Sequence, residues 1–102
     1  MDILKGIIRK AINSNAESLT IEYRDGFEEI AAYSGNVGVT IETITSNSKE
    51  SESLFEEIKK ISRTKRIQID EHEVLLEISS YDSFGETAYE IRIARSPVDN
   101  IY

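Results

Sequence analysis

The chain has 102 residues, twelve basic and nineteen acidic, which leaves a formal charge of −7, and it contains no cysteine. That length suits one domain with its own core, and the missing cysteines exclude disulfides, thiolate metal sites and cysteine nucleophiles, pointing to a cytoplasmic setting. A field of negative sign repels phosphate backbones and anionic lipid, so nucleic acid is not expected as a partner.

Residues 3–15 open with Ile3, Leu4, Ile7, Ile8, Ala11 and Ile12, spaced to lie on one stripe of a helix. Lys5, Arg9 and Lys10 interrupt the apolar positions, so no signal peptide is expected, and no apolar run approaches the ~20 residues of a membrane span. The cationic side of this helix would also suit a membrane surface, but a stripe of this kind more often packs on its own sheet. "NSNAES" (13–18) ends the helix.

Leu19, Ile21 and Tyr23 then alternate with Thr20, Glu22 and Arg24, the period of a half-buried strand. Asp25-Gly26 is a strong hairpin signal. The return strand shows Phe27, Ile30, Ala32 and Tyr33 less regularly, which predicts a bulge or register change near Glu28-Glu29. "SGN" (34–36) makes a second turn, and "VGVTIETIT" (37–45) is a third strand rich in β-branched residues.

"SNSKESES" (46–53) reads as a loop entering a helix, with Asn47 as the N-cap and Glu50 at capping-box spacing. Leu54, Phe55, Ile58 and Ile61 form the second apolar stripe, and the basic run "SRTKR" (62–66) falls where that helix ends. Strands are expected at 66–70, 73–81 and 87–95. Thr87, Tyr89, Ile91 and Ile93 share one face of the last, and Pro97 stops its pairing. The order α-β-β-β-α-β-β-β is an α+β pattern: an antiparallel sheet of about six strands with both helices packed on one face. A single domain over residues 1–95 and a tail over 96–102 follow. Two βββ halves, each led by a helix, hint at an internal repeat in topology alone.

No constellation carries enzyme chemistry, and no catalytic, cofactor-binding or metal-binding residue is assigned. Glu71-His72-Glu73 points its two acids away from the histidine in an extended chain, and His72 is the chain's single histidine, so no triad can form within one chain. Asp82 and Glu86 flank "SFG" and read as solvating a hairpin connection rather than as an acid–base pair. The adjacent pairs Glu28-Glu29 and Glu56-Glu57 diverge in any regular element. "GNVG" (35–38) lacks the lysine and spacer of a phosphate-binding loop.

"LLEISSYDSFGETAYEIRI" resembles the closing hairpin of the N-terminal accessory domain of type II secretion and type IV pilus ATPases, through Ser79, Ser80, Gly85, Glu86, Arg92 and Ile93. Upstream, "AINSNAESLTIEYRDG" is similar to that family's helix, strand and acidic-Gly turn, with Ala16, Leu19, Ile21, Glu22, Asp25 and Gly26 in the matching positions. Ser18 and Thr20 stand where the family has Asp and His, and "EEIAAYSG" replaces its basic strand, so that strand's contacts with nucleotide and neighbouring subunit do not carry over. The resemblance implies a stand-alone accessory domain without an ATPase core.

The expected function is therefore a non-catalytic module that binds a protein, or itself as a homo-oligomer, through sheet surface or edge. A small acidic inhibitor of immunity type, covering a basic active site, is the first alternative. A small-molecule-sensing domain with a pocket between helix and sheet is the second.

Overall fold

Four two-residue turns lay out the sheet. Asp25-Gly26 and Phe84-Gly85 both hold positive φ at each position (46° and 93°, 52° and 84°), while Gly35 and Asp70 supply it in the other two (60° and 55°). This twist matches that of the strands the turns join. The computed structural model describes residues 2–61 and 63–95. The elements are α1 (Asp2–Asn13), β1 (Ser18–Arg24), β2 (Phe27–Ser34), β3 (Val37–Thr45), α2 (Lys49–Lys59), β4 (Thr64–Ile69), β5 (His72–Ser83) and β6 (Glu86–Arg95). Pro97 and the tail lie outside the described residues.

The six strands form one antiparallel sheet in the order β3-β2-β1-β6-β5-β4. The first meander runs outward from the centre and the second runs inward. They join where Ser18–Ile21 of β1 pairs with Tyr89–Arg92 of β6. A true repeat would give β1 and β4 equivalent places, yet β1 is central and β4 is an edge.

Both helices spend their stripes on one face of this sheet. Leu4, Ile7, Ile8, Ala11 and Ile12 of α1 and Leu54 and Ile58 of α2 are buried against Leu19, Ile21, Ile30, Ile44, Ile69, Val74, Leu76 and Ile91. Arg9 pairs with Asp70 at 3.3 Å and Lys10 pairs with Glu42, so α1 is tied toward both edges of the sheet. Such exposed pairs add little stability, and their use is to set direction. Glu57 of α2 accepts a hydrogen bond from the Leu4 N–H at 3.3 Å, satisfying one of the free amides at the start of α1. The opposite face is solvated and laced by Arg24–Glu29 (2.5 Å), Arg24–Glu22 (3.6 Å) and Arg92–Glu77 (3.6 Å) pairs.

The register change expected near Glu28-Glu29 is present on one side of β2 alone. β1 and β2 pair without a break from Ser18↔Tyr33 to Arg24↔Phe27, and Glu28, Ile30 and Ala32 all face the core. An acid in an inward position hid the alternation, while Phe27 and Tyr33 turn to the other face. The register shifts one strand over, between β2 and β3 at Ile30/Ala31, where Ile41 is the extra residue.

The helix start also differs from the sequence reading. Asn47 holds φ 61° and belongs to the turn, whereas Ser48 is the N-cap, its hydroxyl accepting from the Ser51 N–H at 3.1 Å while Ser51 Oγ accepts from the Ser48 N–H at 3.1 Å. Serine replaces the usual Glu of a capping box, so the spacing rule settled on the wrong pair. The strands likewise run closer to their turns than expected, and Thr64 and Lys65 of the basic run open β4 ahead of Arg66 instead of closing α2.

Ser48→Ala is expected to cost about 1 kcal/mol of stability through the lost cap. Asn47→Gly, at a left-handed position, should leave stability equal or higher. Urea denaturation of the two variants checks the ranking, and the reverse order would return the cap to Asn47.

Candidate functional site: the aromatic end of the sheet

Six of the seven aromatic side chains among the described residues gather at one end of the sheet, where the Asp25-Gly26 and Phe84-Gly85 turns lie. Tyr23 and Phe27 flank the first turn, Tyr81 and Phe84 come from the β5–β6 hairpin, Tyr89 from β6 and Phe55 from α2. Phe55 and Tyr89 pack with ring centroids 5.8 Å apart, tilted by 42°. Such a pair adds roughly 0.5–1.5 kcal/mol beyond its buried area, and both rings are half-buried. Tyr23 and Tyr81 are more exposed, and Phe84 at the tip is fully exposed.

Phe84 is the anomaly. Its φ of 52° lies in the left-handed region, where glycine, asparagine and aspartate are at ease and a bulky side chain is strained. The neighbouring hairpin solves the same geometry with Asp25-Gly26. A phenylalanine at the equivalent turn gains no burial in return for this cost. Around it stand the exposed carboxylates of Asp25, Asp82 and Glu86. Arg24, beside the first turn, is committed to Glu22 and Glu29.

Two hollows open on this end. One of about 330 Å³ runs between the hairpin tips and is lined by Tyr23, Arg24, Asp25, Ser83, Phe84 and Glu86. The other, about 350 Å³, lies between α2 and the sheet and is lined by Tyr23, Phe55 and Tyr89 with Glu28, Lys59 and Thr87. Glu28 is the one buried carboxylate among the described residues, and it accepts a 2.6 Å hydrogen bond from the Ser46 hydroxyl. The contact fastens the corner after β3 to β2, helped by the Ser46 N–H donating to the Gly26 carbonyl at 3.0 Å.

Two acid pairs weighed for chemistry in the sequence, Asp82 with Glu86 and Glu28 with Glu29, are kept apart. Asp82 pairs with Thr87 and Ser83 with Glu86, so Asp82 and Glu86 project from opposite faces of their hairpin. Glu28 faces inward, while Glu29 faces outward and accepts from Thr40 Oγ1 at 2.9 Å. Glu71 sits in the β4–β5 turn and not in an extended chain, and it lines a separate hollow of about 350 Å³ together with His72, Ile12, Asn13 and Asp70. Among the described residues no group of three His, Cys, Asp or Glu is placed to hold a metal ion. Nor is any helix among them long and apolar enough to cross a membrane. No family model and no curated protein matches the chain.

In "SFG" the flanking acids drew attention away from the phenylalanine. The available signal was an aromatic at the position before glycine in a two-residue turn, where hairpins want Asn or Asp.

On the solvated face, the Tyr81 hydroxyl donates to Glu22 Oε2 at 2.8 Å, and the Ser83 hydroxyl donates to the same oxygen at 3.4 Å. Partial burial, then the bond to the Glu22 carboxylate and its charge, hold the Tyr81 phenol well above the usual tyrosine range. The folded chain therefore keeps a proton that the unfolded chain releases above pH ~10. This contribution is full below that pH and is lost as pH rises. Tyr81→Phe is expected to make the alkaline fall in melting temperature shallower. Identical slopes for the variant and the parent would contradict the assignment.

Proposed function

We propose that this chain is a non-catalytic protein-interaction module whose contact surface is the aromatic end, with Phe84 as the anchor. The observation that carries the reading is a fully exposed phenylalanine held at φ 52° on a hairpin tip, where the fold itself would be served better by asparagine. Interface hot spots are buried aromatic anchors within a polar rim, and the exposed Asp25, Asp82 and Glu86 provide such a rim with negative charge. The matching partner is a protein with an apolar pocket bordered by lysine or arginine, and the chain's overall charge of −7 speeds that encounter. The same sign disfavours nucleic acid as the partner.

The acidic collar equally suits an inhibitor that plugs a cation-rimmed active site, and the identity of the captured partner separates this reading from a scaffold role. Kinship with the accessory domain of secretion and pilus ATPases belongs to the proposal as a source for the partner's class. What supports it is that Gly26 and Gly85 both occupy hairpin turns at positive φ, and that Leu19 and Ile21 lie in the core. These are fold-building positions, so the kinship bears on architecture and assigns no chemistry.

A photo-crosslinking amino acid placed at position 84 and expressed in the native host should give one discrete crosslinked protein. The same group at Gln68, exposed on β4, should not. Absence of a discrete product from position 84, or the same products from both positions, would contradict the reading.

A further inference from the structure

We infer that two copies of the chain join edge to edge through β3, with residues 37–41 paired antiparallel about a two-fold axis at Val39. The sheet has two edge strands, β3 and β4, and they differ in kind. β4 carries Lys65 and Arg66 and is preceded by Lys60 and Arg63, and charged edges of this kind turn away further strands. The β3 stretch from Val37 to Ile41 carries no charge, and Glu42 beside it is paired with Lys10.

Val37 and Val39 are 66% and 58% exposed, although their partners Ser34 and Ala32 place them on the helix side of the sheet. The helices do not reach that corner. A row of unpaired backbone N–H and C=O groups beside exposed valines selects a β-strand as occupant, and this stretch is complementary to itself. With Val39 on the axis, Val37 faces Ile41 of the second copy and Gly38 faces Thr40. One side of the joint is then wholly β-branched and apolar, and cross-strand pairs of that type are favourable.

The bulge at Ile41 ends the regular stretch, so the pairing is short and the dimer weak. Closure at two copies follows from the two-fold axis, whereas β3-to-β4 stacking would leave free edges and grow into filaments. Two copies of charge −7 repel, so added salt strengthens this contact. A contact between the β4 cations and an acidic surface would weaken instead. The Val37–Ile41 stretch begins at the end of the sheet away from Phe84, so the inference stands independently of the proposed function.

Sedimentation equilibrium up to about 1 mM protein tests it, a range in which weak dimers are seen. The expected result is a monomer–dimer equilibrium that tightens with salt. Val39→Lys and Val39→Glu each place like charges opposite one another at the axis, so each variant alone should dimerise at least about tenfold more weakly. An equimolar mixture of the two should recover dimer, since the introduced ammonium of one chain then meets the introduced carboxylate of the other. Recovery also shows that both variants are folded. Val39→Thr, which keeps the β-branch, should dimerise close to the parent level. A monomeric parent across the range, association that weakens with salt, filaments, or a mixture no tighter than its components would each overturn the inference.

Discussion

Two short helices have one face of a six-stranded sheet to cover, and every other feature follows from how far they reach. Their stripes meet the inward residues of the sheet's middle, where Leu4, Ile8, Leu19, Ile30, Leu54, Leu76 and Ile91 are essentially removed from water. Fully burying side chains of this size contributes roughly 1.5–3 kcal/mol each, which makes this contact the main source of stability. The helices are too short to cover both ends of the sheet. One corner leaves Val37 and Val39 in solvent, and the far end leaves a cluster of aromatic rings with only α2 beside it.

The uncovered parts are not alike. The open face is balanced by cross-strand pairs such as Arg92–Glu77 and by the Tyr81–Glu22 bond, so water and neighbouring charges satisfy it. The β4 edge is guarded by cations. The β3 edge and the Phe84 tip have neither defence, and each retains exposed apolar groups that folding does not use. Surplus of this kind, where the fold offers cheaper residues, is the physical ground for reading the molecule as a binder. The contrast between Asp25-Gly26 and Phe84-Gly85 makes the point within one chain, because the same backbone geometry is built from an ordinary turn residue once and a strained aromatic once.

Much of the fold was legible because its signals were local. The two striped helices, the Asp25-Gly26 turn and the alternation in 87–95 each declared an element, and their order fixed an α+β sheet. Where reading failed, a polar residue occupied an unexpected place for a tertiary reason. Glu28 turns inward to meet Ser46, which broke the apparent period of β2, and Ser51 took the capping role that spacing awarded to Glu50. The strand order was not legible, since nothing local says that β1 and β6 meet at the centre. The candidate site was the least visible part. Its rings come from three separate stretches of chain, the two hairpins and α2, and the exposure of Phe84 depends on which strands stop short around the hairpin, a property of the assembled sheet.

Phe84 is held at the hairpin tip against the interest of the fold. Equilibrium urea denaturation of Phe84→Asn tests this most directly, because asparagine tolerates the left-handed turn and nothing buried is lost. The expected result is a higher midpoint at unchanged slope, a gain of about 0.5–1 kcal/mol. A lower midpoint would mean that the ring stabilises the hairpin, and the case for a binding anchor would lose its foundation.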